Sequence, residues 1–222
     1  MTAHSPTPSA RALKPRLRRW AASALLGGAA VAAVAVPAGH VSAERAATTS
    51  PTIALRAQGA LDALAKWEAG HAPTDYVRFV RARDSVAELI AADLALPADA
   101  VRTEFAAPAL TNQHAALAAL SQLGVSYRSM ASEPGVAFDC SGLTSFAYGV
   151  AGIEVPRISG DQMRASVKIE RARAEVGDLV HYPGHVGMYL GGDIYVHSPQ
   201  PGRDVEVVVM PERSLNFGDL TP

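Results

Sequence analysis

The stretch GHVGMYLGGDIYVHS, residues 184–198, predicts two neighbouring antiparallel strands and the turn between them. Alternate positions on both sides of the glycines are apolar, which is typical of strands that bury one face. These positions are Val186, Met188, Leu190, Ile194 and Val196. They share a face only if Leu190 pairs with Ile194 across a three-residue turn, Gly191-Gly192-Asp193. We therefore predict that register.

The same register brings two histidines together on the other face. His197 stands opposite Gly187, one step diagonal to His185, and the glycine leaves room for two imidazoles to meet. A two-residue turn would place the histidines on opposite faces. Two imidazoles in contact suit a general base and a residue that orients its ring. The alternative is a pair of surface histidines on a half-exposed sheet.

A metal site is a further alternative for the histidines. His181, His185 and His197 could supply three nitrogen ligands. His181 and His185 are four residues apart, but Pro183-Gly184 breaks any helix in which that spacing would matter. We therefore expect no metal and no other cofactor.

Cys140 is the only cysteine of the chain and begins a predicted helix. Asp139 is a good N-cap, and Gly149 and Gly152 can end the helix. A thiol in the first helical turn is expected to favour the thiolate, and the unpaired N–H groups there can receive an oxyanion. The alternative is a small buried cysteine that fills space in the core.

Residues 1–43 have the organisation of an export signal. A basic segment without acids precedes the Ala-rich run 20–36 and a small-residue cleavage site at Val41-Ser42-Ala43. An uncleaved anchor is the alternative, and only then do we expect membrane contact. Without this segment 15 basic and 21 acidic residues remain, a net charge of −6, with no basic cluster. The charge therefore argues against nucleic acid as a partner.

The remaining chain divides into two segments by pattern. Residues 44–108 read as a mobile linker up to Ser50 and then a helical hairpin, rich in alanine and charge, that acts as a spacer or a lid. Thr74 is the expected N-cap of the second helix of this hairpin. Residues 109–222 begin with helices and continue with short strands. Helices followed by antiparallel strands indicate an α+β fold. The oligomeric state is left open.

Four short blocks make a family resemblance visible. They are Asp139-Cys140-Ser141-Gly142, Gly177-Asp178-Leu179, His185-Val186-Gly187 and Val196-His197-Ser198. In this order and spacing they resemble the NlpC-like cysteine peptidases of bacterial cell walls. The resemblance implies a papain-like α+β domain that hydrolyses peptidoglycan stem peptides, commonly between D-glutamate and the next diamino acid, in a secreted or cell-wall protein.

The resemblance also implies residue roles. Cys140 is the nucleophile, His185 the base and His197 the orienting residue. Substrate-binding residues carried over by position are Tyr127, Asp139, Ser141 and Arg157. The run after Tyr127 lacks the aromatic-Gly-Gly sequence that is common in the family, so the pocket wall is expected to differ. An amidase or acyl-transferase with the same Cys-His pair, and a non-catalytic wall-binding module, remain alternatives.

Overall fold

The computed structural model describes residues 47–221. The predicted export signal, residues 1–43, lies outside the described part of the chain. None of the helices within the described part combines the length and the apolar character that a membrane-spanning helix requires.

The described chain contains helices and strands in an order that agrees with the α+β prediction. The helices are α1 Pro51–Gly70, α2 Pro73–Asp93, α3 Ala98–Ala106, α4 Leu110–Leu120, α5 Cys140–Val150 and α6 Ser159–Ala165, with a 3-10 turn at Arg171–Arg173. The strands are β1 Ala47–Thr48, β2 Ser132–Glu133, β3 Ala137–Phe138, β4 Val167–Ile169, β5 Leu179–Tyr182, β6 His185–Tyr189, β7 Ile194–His197, β8 Glu206–Val209 and β9 Asn216–Asp219.

One seven-stranded sheet is formed mainly by the C-terminal half of the chain. Its order is β1-β8-β7-β6-β5-β9-β4, and each neighbouring pair is antiparallel. Strands β2 and β3 form a separate two-stranded sheet directly before α5. Helices combined with an antiparallel sheet confirm the predicted α+β class.

The predicted helical hairpin forms, with one difference at its second helix. In α1 the apolar stripe that includes Ile53, Ala57 and Leu64 is buried. Helix α2 begins at Pro73 rather than after Thr74, because proline is compatible with the first helical turn, where its missing N–H is not needed. The prediction of Thr74 as the N-cap was therefore wrong.

The helical hairpin shares one hydrophobic core with the sheet. Helix α4 contacts both α1 and α5, and α5 contacts β6. Side chains from Ile53 in α1 to Val207 in β8 belong to the same buried cluster. The expected mobile linker is partly sheet, since Ala47 and Thr48 pair with Val208 and Val207 at the sheet edge. The domain division at residue 109 stays a prediction.

The β6–β7 hairpin has the predicted register. Met188 pairs with Val196 and Tyr189 with Tyr195, and the N–H of Leu190 donates to the carbonyl of Ile194. Three residues therefore form the turn, and Gly191 and Gly192 both have the positive φ that suits glycine. The helix-facing side of the hairpin joins the main core, and the other side carries both histidines.

Candidate active site

Cys140 is the first residue of α5, as the sequence predicted. The Asp139 side chain accepts a hydrogen bond of 2.7 Å from the N–H of Gly142 and so caps this helix. Cys140 is partly buried, and a backbone hydrogen bond from Val186 reaches its thiol. The N-terminus of α5 thus meets β6 beside His185.

The thiol differs from the expectation of a favoured thiolate. Burial raises the pKa of Cys140, and the nearby Asp139 carboxylate raises it further. Hydrogen bonds from Val186 and Ser141 lower the pKa but do not overcome burial. The surroundings of Cys140 therefore favour the neutral thiol over a preformed thiolate.

The two histidines are in direct contact. Nε2 of His185 lies 2.8 Å from Nδ1 of His197, and both residues are buried, with 7% and 6% of their surface exposed. Since Nε2 of His185 is occupied, Nδ1 is the nitrogen left to exchange a proton with a nucleophile. The structure thus supports the predicted pairing rather than two exposed surface histidines.

The prediction that Gly187 leaves room for the imidazoles was wrong in its detail. A Cβ atom at Gly187 would lie 2.6 Å from Cδ2 of Tyr195 and 2.8 Å from the carbonyl oxygen of Val196. The space beside the glycine is therefore filled by the tyrosine ring, which also contacts His197 at a centroid distance of 4.5 Å. Glycine is needed here for a close approach of the Tyr195 ring.

The sequence interpretation missed a carboxylate behind His197. Oε1 of Glu206 lies 3.3 Å from Nε2 of His197, at ion-pair distance although outside hydrogen-bond geometry. Arg203 donates to the other oxygen of this carboxylate. Strand pairing explains the position, since Glu206 is the direct cross-strand partner of His197. The polar residue in the otherwise apolar β8 was the signal that could have found it.

Tyr182 and Arg213 surround the other side of His185. The Tyr182 ring stacks on His185 at a centroid distance of 4.9 Å, and the Arg213 guanidinium lies 4.5 Å from the centre of the Tyr182 ring. Burial lowers the pKa of His185 to about 3, and His197 and Arg213 lower it as well. His185 is therefore a neutral imidazole that can accept a proton.

The predicted substrate-binding residues mostly bind each other. Nη1 of Arg157 donates to Oδ1 of Asp139 and to Oγ of Ser141, both at 2.9 Å. Nη2 donates to Oδ2 of Asp139 at 2.8 Å and to the carbonyl of Ala131 at 3.1 Å. Four of the five N–H donors of a guanidinium are thereby used, and Nε–H remains. This cluster chiefly holds the first turn of α5 in place.

Tyr127 stands near the same cluster. Its backbone bridges to Phe138, two residues before the cysteine. Burial raises the pKa of Tyr127, and the charges of Cys140 and Asp139 raise it further, which places the phenol close to both groups.

Gln162 in α6 contacts the first turn of α5. It is completely buried, and its amide nitrogen donates to the carbonyls of Ser141 and Pro156 at 3.0 and 2.8 Å. Its oxygen accepts from the hydroxyl of Thr144 at 2.6 Å. Gln162 therefore ties the start of α5 to the loop that carries Arg157.

A three-histidine metal site does not form. His181 pairs with Val186 across β5 and β6, whereas Tyr182 pairs with His185. Because directly paired residues share a face, His181 lies on the opposite side of the sheet from the other two histidines. Within residues 47–221, no group of three or more potential metal ligands comes together.

Comparison with known proteins identifies the region that contains this site. The profile described as the NlpC/P60 family matches residues 124–216. The chain is 43% identical over 87 residues to the peptidoglycan endopeptidase RipB of Mycobacterium tuberculosis, which covers 37% of this chain and 35% of RipB. It is 40% identical over 82 residues to the gamma-D-glutamyl-L-lysine dipeptidyl-peptidase of Bacillus cereus. This match covers 33% of this chain and 25% of the Bacillus cereus protein.

A third relative carries a different activity in its name. The chain is 33% identical over 103 residues to the murein DD-endopeptidase MepH of Escherichia coli, which covers 42% of this chain and 38% of MepH. The chain therefore matches less than two fifths of the length of each of these relatives. Cys140, His185 and His197 all lie inside the matched residues, and the helical hairpin lies before them.

Proposed function

We propose that this protein is a peptidoglycan hydrolase, because the NlpC/P60 family profile matches residues 124–216, in agreement with the sequence resemblance. It cleaves an amide bond in stem peptides by a Cys-His-His thiol mechanism without a cofactor. Cys140 is the nucleophile, His185 the base and His197 the residue that orients the base. The single observation that carries this proposal is the contact of 2.8 Å between the two buried imidazoles, beside the helix that begins with Cys140.

The proposed reaction starts from a neutral thiol and a neutral imidazole. As Sγ of Cys140 attacks the carbonyl carbon, its proton passes to Nδ1 of His185. The negative oxygen that forms lies at the N-terminus of α5, where the Asp139 cap uses the N–H of Gly142 and leaves that of Cys140 for the oxyanion. His185 then protonates the leaving amine, and water attacks the thioester and regenerates the thiol.

The bond that we propose is the one between D-glutamate and the following diamino acid. The name of the Bacillus cereus relative supports a D-glutamyl bond. The name of MepH instead favours a bond between two D-centres, as in peptide cross-links, and makes this the second candidate. Both reactions use the same thiol chemistry and differ only in the acyl group presented to Cys140.

Mass spectrometry of digested peptidoglycan tests the reaction and the bond together. We expect the purified protein to release fragments cut after D-glutamate, and the variants Cys140→Ala and His185→Asn to release none. His71→Asn is the matched histidine control, because His71 lies in the connection between α1 and α2, where its φ of 51° suits asparagine. Cleavage by a folded Cys140→Ala protein would refute the thiol mechanism.

The same digestion separates the remaining alternatives. Release of the stem peptide from the sugar would indicate an amidase, and a peptide joined to a new amine would indicate an acyl-transferase. Binding to peptidoglycan without any product from the wild type would indicate a non-catalytic wall-binding module. We place the activity outside the cytoplasm, and N-terminal sequencing of the protein from the culture medium tests export and cleavage after Ala43.

The state of the thiol before catalysis gives a prediction that needs no substrate. Because burial raises the pKa of Cys140, the rate of its alkylation by iodoacetamide should rise with pH, with a midpoint above the ordinary thiol value of about 8.5. The rate is measured by mass spectrometry of the intact protein. A midpoint below pH 7 would contradict a neutral resting pair and indicate a preformed thiolate.

We propose that the helical segment, residues 44–108, stabilises the catalytic part and acts as a spacer rather than a lid. Its support is the core that α1 shares with α4 and the sheet. A chain that begins at Ala109 should therefore unfold at a lower temperature than the chain from Glu44. A truncated chain with higher activity and unchanged melting temperature would favour the lid.

A further inference from the structure

We propose that Glu206 is a positioning residue that fixes the tautomers of His197 and His185, so that Nδ1 of His185 is the proton acceptor. The site thus contains a line of four side chains, Cys140, His185, His197 and Glu206, rather than three. The effect on catalysis rests on the proposed thiol reaction. The effect on the tautomers does not.

The line begins at the carboxylate. Oε1 of Glu206 faces Nε2 of His197 at 3.3 Å, and the residue is only 4% exposed. An ionised carboxylate can accept a hydrogen bond but cannot donate one. Nε2 of His197 must therefore carry the proton, because a bare nitrogen there would face a negative charge in a site with little water.

The need for one donor and one acceptor in each contact then fixes the tautomers of both rings. A neutral His197 with a proton on Nε2 has a bare Nδ1, which can only accept. Nδ1 lies 2.8 Å from Nε2 of His185, so this Nε2 must donate and carry the proton of a neutral His185. Nδ1 of His185 is then bare. The carboxylate thus selects the nitrogen that receives the thiol proton, although it is two side chains away.

Arg203 keeps the carboxylate ionised. Burial alone would raise the pKa of Glu206, but interactions with His197 and Arg203 outweigh it and hold the pKa below its ordinary value. Arg203 donates to the oxygen of Glu206 that does not face the histidine. A protonated or amide side chain at this position could donate to Nε2 of His197 and would permit the opposite tautomers.

A purely structural role is the competing explanation. Glu206 pairs with His197 between β7 and β8, and this contact could serve only to hold the sheet edge. A structural role changes stability, whereas a positioning role changes where the protons reside. The decisive readout is therefore the tautomer of each ring, which two-bond ¹H–¹⁵N correlation spectra of histidine-labelled protein report.

The experiment begins with the wild-type protein. We expect both His185 and His197 to be neutral, with the proton on Nε2. Assignments come from spectra of His185→Asn and His197→Asn. A wild-type His197 with its proton on Nδ1 would overturn the proposal without any change at Glu206, so the test does not depend on the folding of a variant there.

The variant Glu206→Gln then tests the cause. It preserves shape but adds an N–H donor, so we expect the Nε2–H tautomer of His197 to lose its dominance. Because glutamine can still accept through its oxygen, the loss of kcat should be about 10- to 100-fold, smaller than the ~10⁴-fold typical when an amide replaces a carboxylate bonded directly to the catalytic base. KM should change by less than about twofold, since Glu206 is only 4% exposed and acts through His197.

Two further variants complete the test. Glu154→Gln is the matched control, because Glu154 is exposed in the loop after α5 and should change neither tautomers nor kcat. Glu206→Asp keeps the carboxylate and should retain the wild-type tautomers. Unchanged tautomers and kcat in a folded Glu206→Gln protein would refute the positioning role.

The outcomes separate this proposal from the proposed function. If the wild type cleaves no peptidoglycan but Glu206→Gln alters the tautomers, the proposed function fails and the positioning role stands. If the wild type cleaves stem peptides and Glu206→Gln does so equally well with the same tautomers, the function stands and the positioning role fails.

Discussion

Two buried carboxylates lie beside the active site, Asp139 and Glu206, and their partners differ from those of a third buried carboxylate, Asp178, near Tyr148. Asp139, Glu206 and Asp178 are 7%, 4% and 3% exposed. The first two each form an ion pair with an arginine, whereas Asp178 forms none with the described residues and accepts a hydrogen bond from the N–H of Glu175. The pKa of Glu206 is lowered, whereas burial raises that of Asp178 to about 7. Hydrogen bonding to His197 and Arg203 outweighs the burial of Glu206, whereas the hydrogen bond from Glu175 does not outweigh the burial of Asp178.

The largest effect is expected from Asp139→Ala. The change removes the cap of α5, the acceptor of the Met130 N–H and the bidentate partner of Arg157. The free energy of unfolding should fall by about 3 kcal/mol. Urea denaturation measures it, with Asp99→Ala as the control, because the Asp99 side chain is 91% exposed. Equal losses in both variants would mean that the buried network adds nothing to stability.

Asp178→Asn should produce the next largest effect, visible in the dependence of stability on pH. The folded protein holds the proton of Asp178 up to about pH 7, whereas the unfolded chain releases it near pH 4. The folded state therefore binds more protons in this range, and wild-type stability should fall as pH rises. Allowing for partial screening, we expect a loss of about 2 kcal/mol between pH 5 and 8.

Asparagine cannot ionise, so this slope should be absent in Asp178→Asn. Denaturation in urea at several pH values measures both proteins. The same slope in the variant would show that another group causes it. A wild-type stability that does not change between pH 5 and 8 would show that Asp178 is ionised in spite of its burial.

Arg157→Gln tests the arginine side of the comparison. It leaves the Asp139 carboxylate buried but still bonded to the N–H groups of Gly142 and Met130. A third of the arginine side chain is exposed, so we expect a moderate loss of about 1 kcal/mol in the free energy of unfolding. A loss as large as that of Asp139→Ala would show that the ion pair outweighs the helix cap.

The two arginine-bound carboxylates also differ in how well their roles can be predicted from the sequence. Asp139 precedes the cysteine, so its role as a helix cap follows from local rules. Glu206 meets His197 only through the pairing of β7 with β8, which brings distant residues together. The β6–β7 register was predictable because alternation and a short turn fix it, whereas the position of the Tyr195 ring against Gly187 depends on packing.

The same distinction holds for the whole fold. Helices α1 to α5 and strands β5 to β8 carry local patterns of apolar spacing, caps and turns. Strands β1, β4 and β9 are two to four residues long and form because a neighbouring strand offers its edge. Gln162 likewise gains its role from backbone groups of two separate segments. These features require the tertiary structure.

Arg203→Gln should have the smallest effect on stability, and it isolates the contribution of the arginine beside Glu206. The arginine side chain is 49% exposed, so the loss in the free energy of unfolding at pH 7 should be about 0.5 kcal/mol. Its loss should nevertheless raise the pKa of Glu206. The lowered pKa of Glu206 stabilises the folded protein at pH values above the ordinary glutamate pKa, and this stabilisation is lost as the pH falls. In the variant, the loss should begin at a higher pH. Acid unfolding followed by circular dichroism measures this shift, and Arg128→Gln is the exposed control. If wild type and Arg203→Gln unfold at the same pH, His197 alone keeps Glu206 charged.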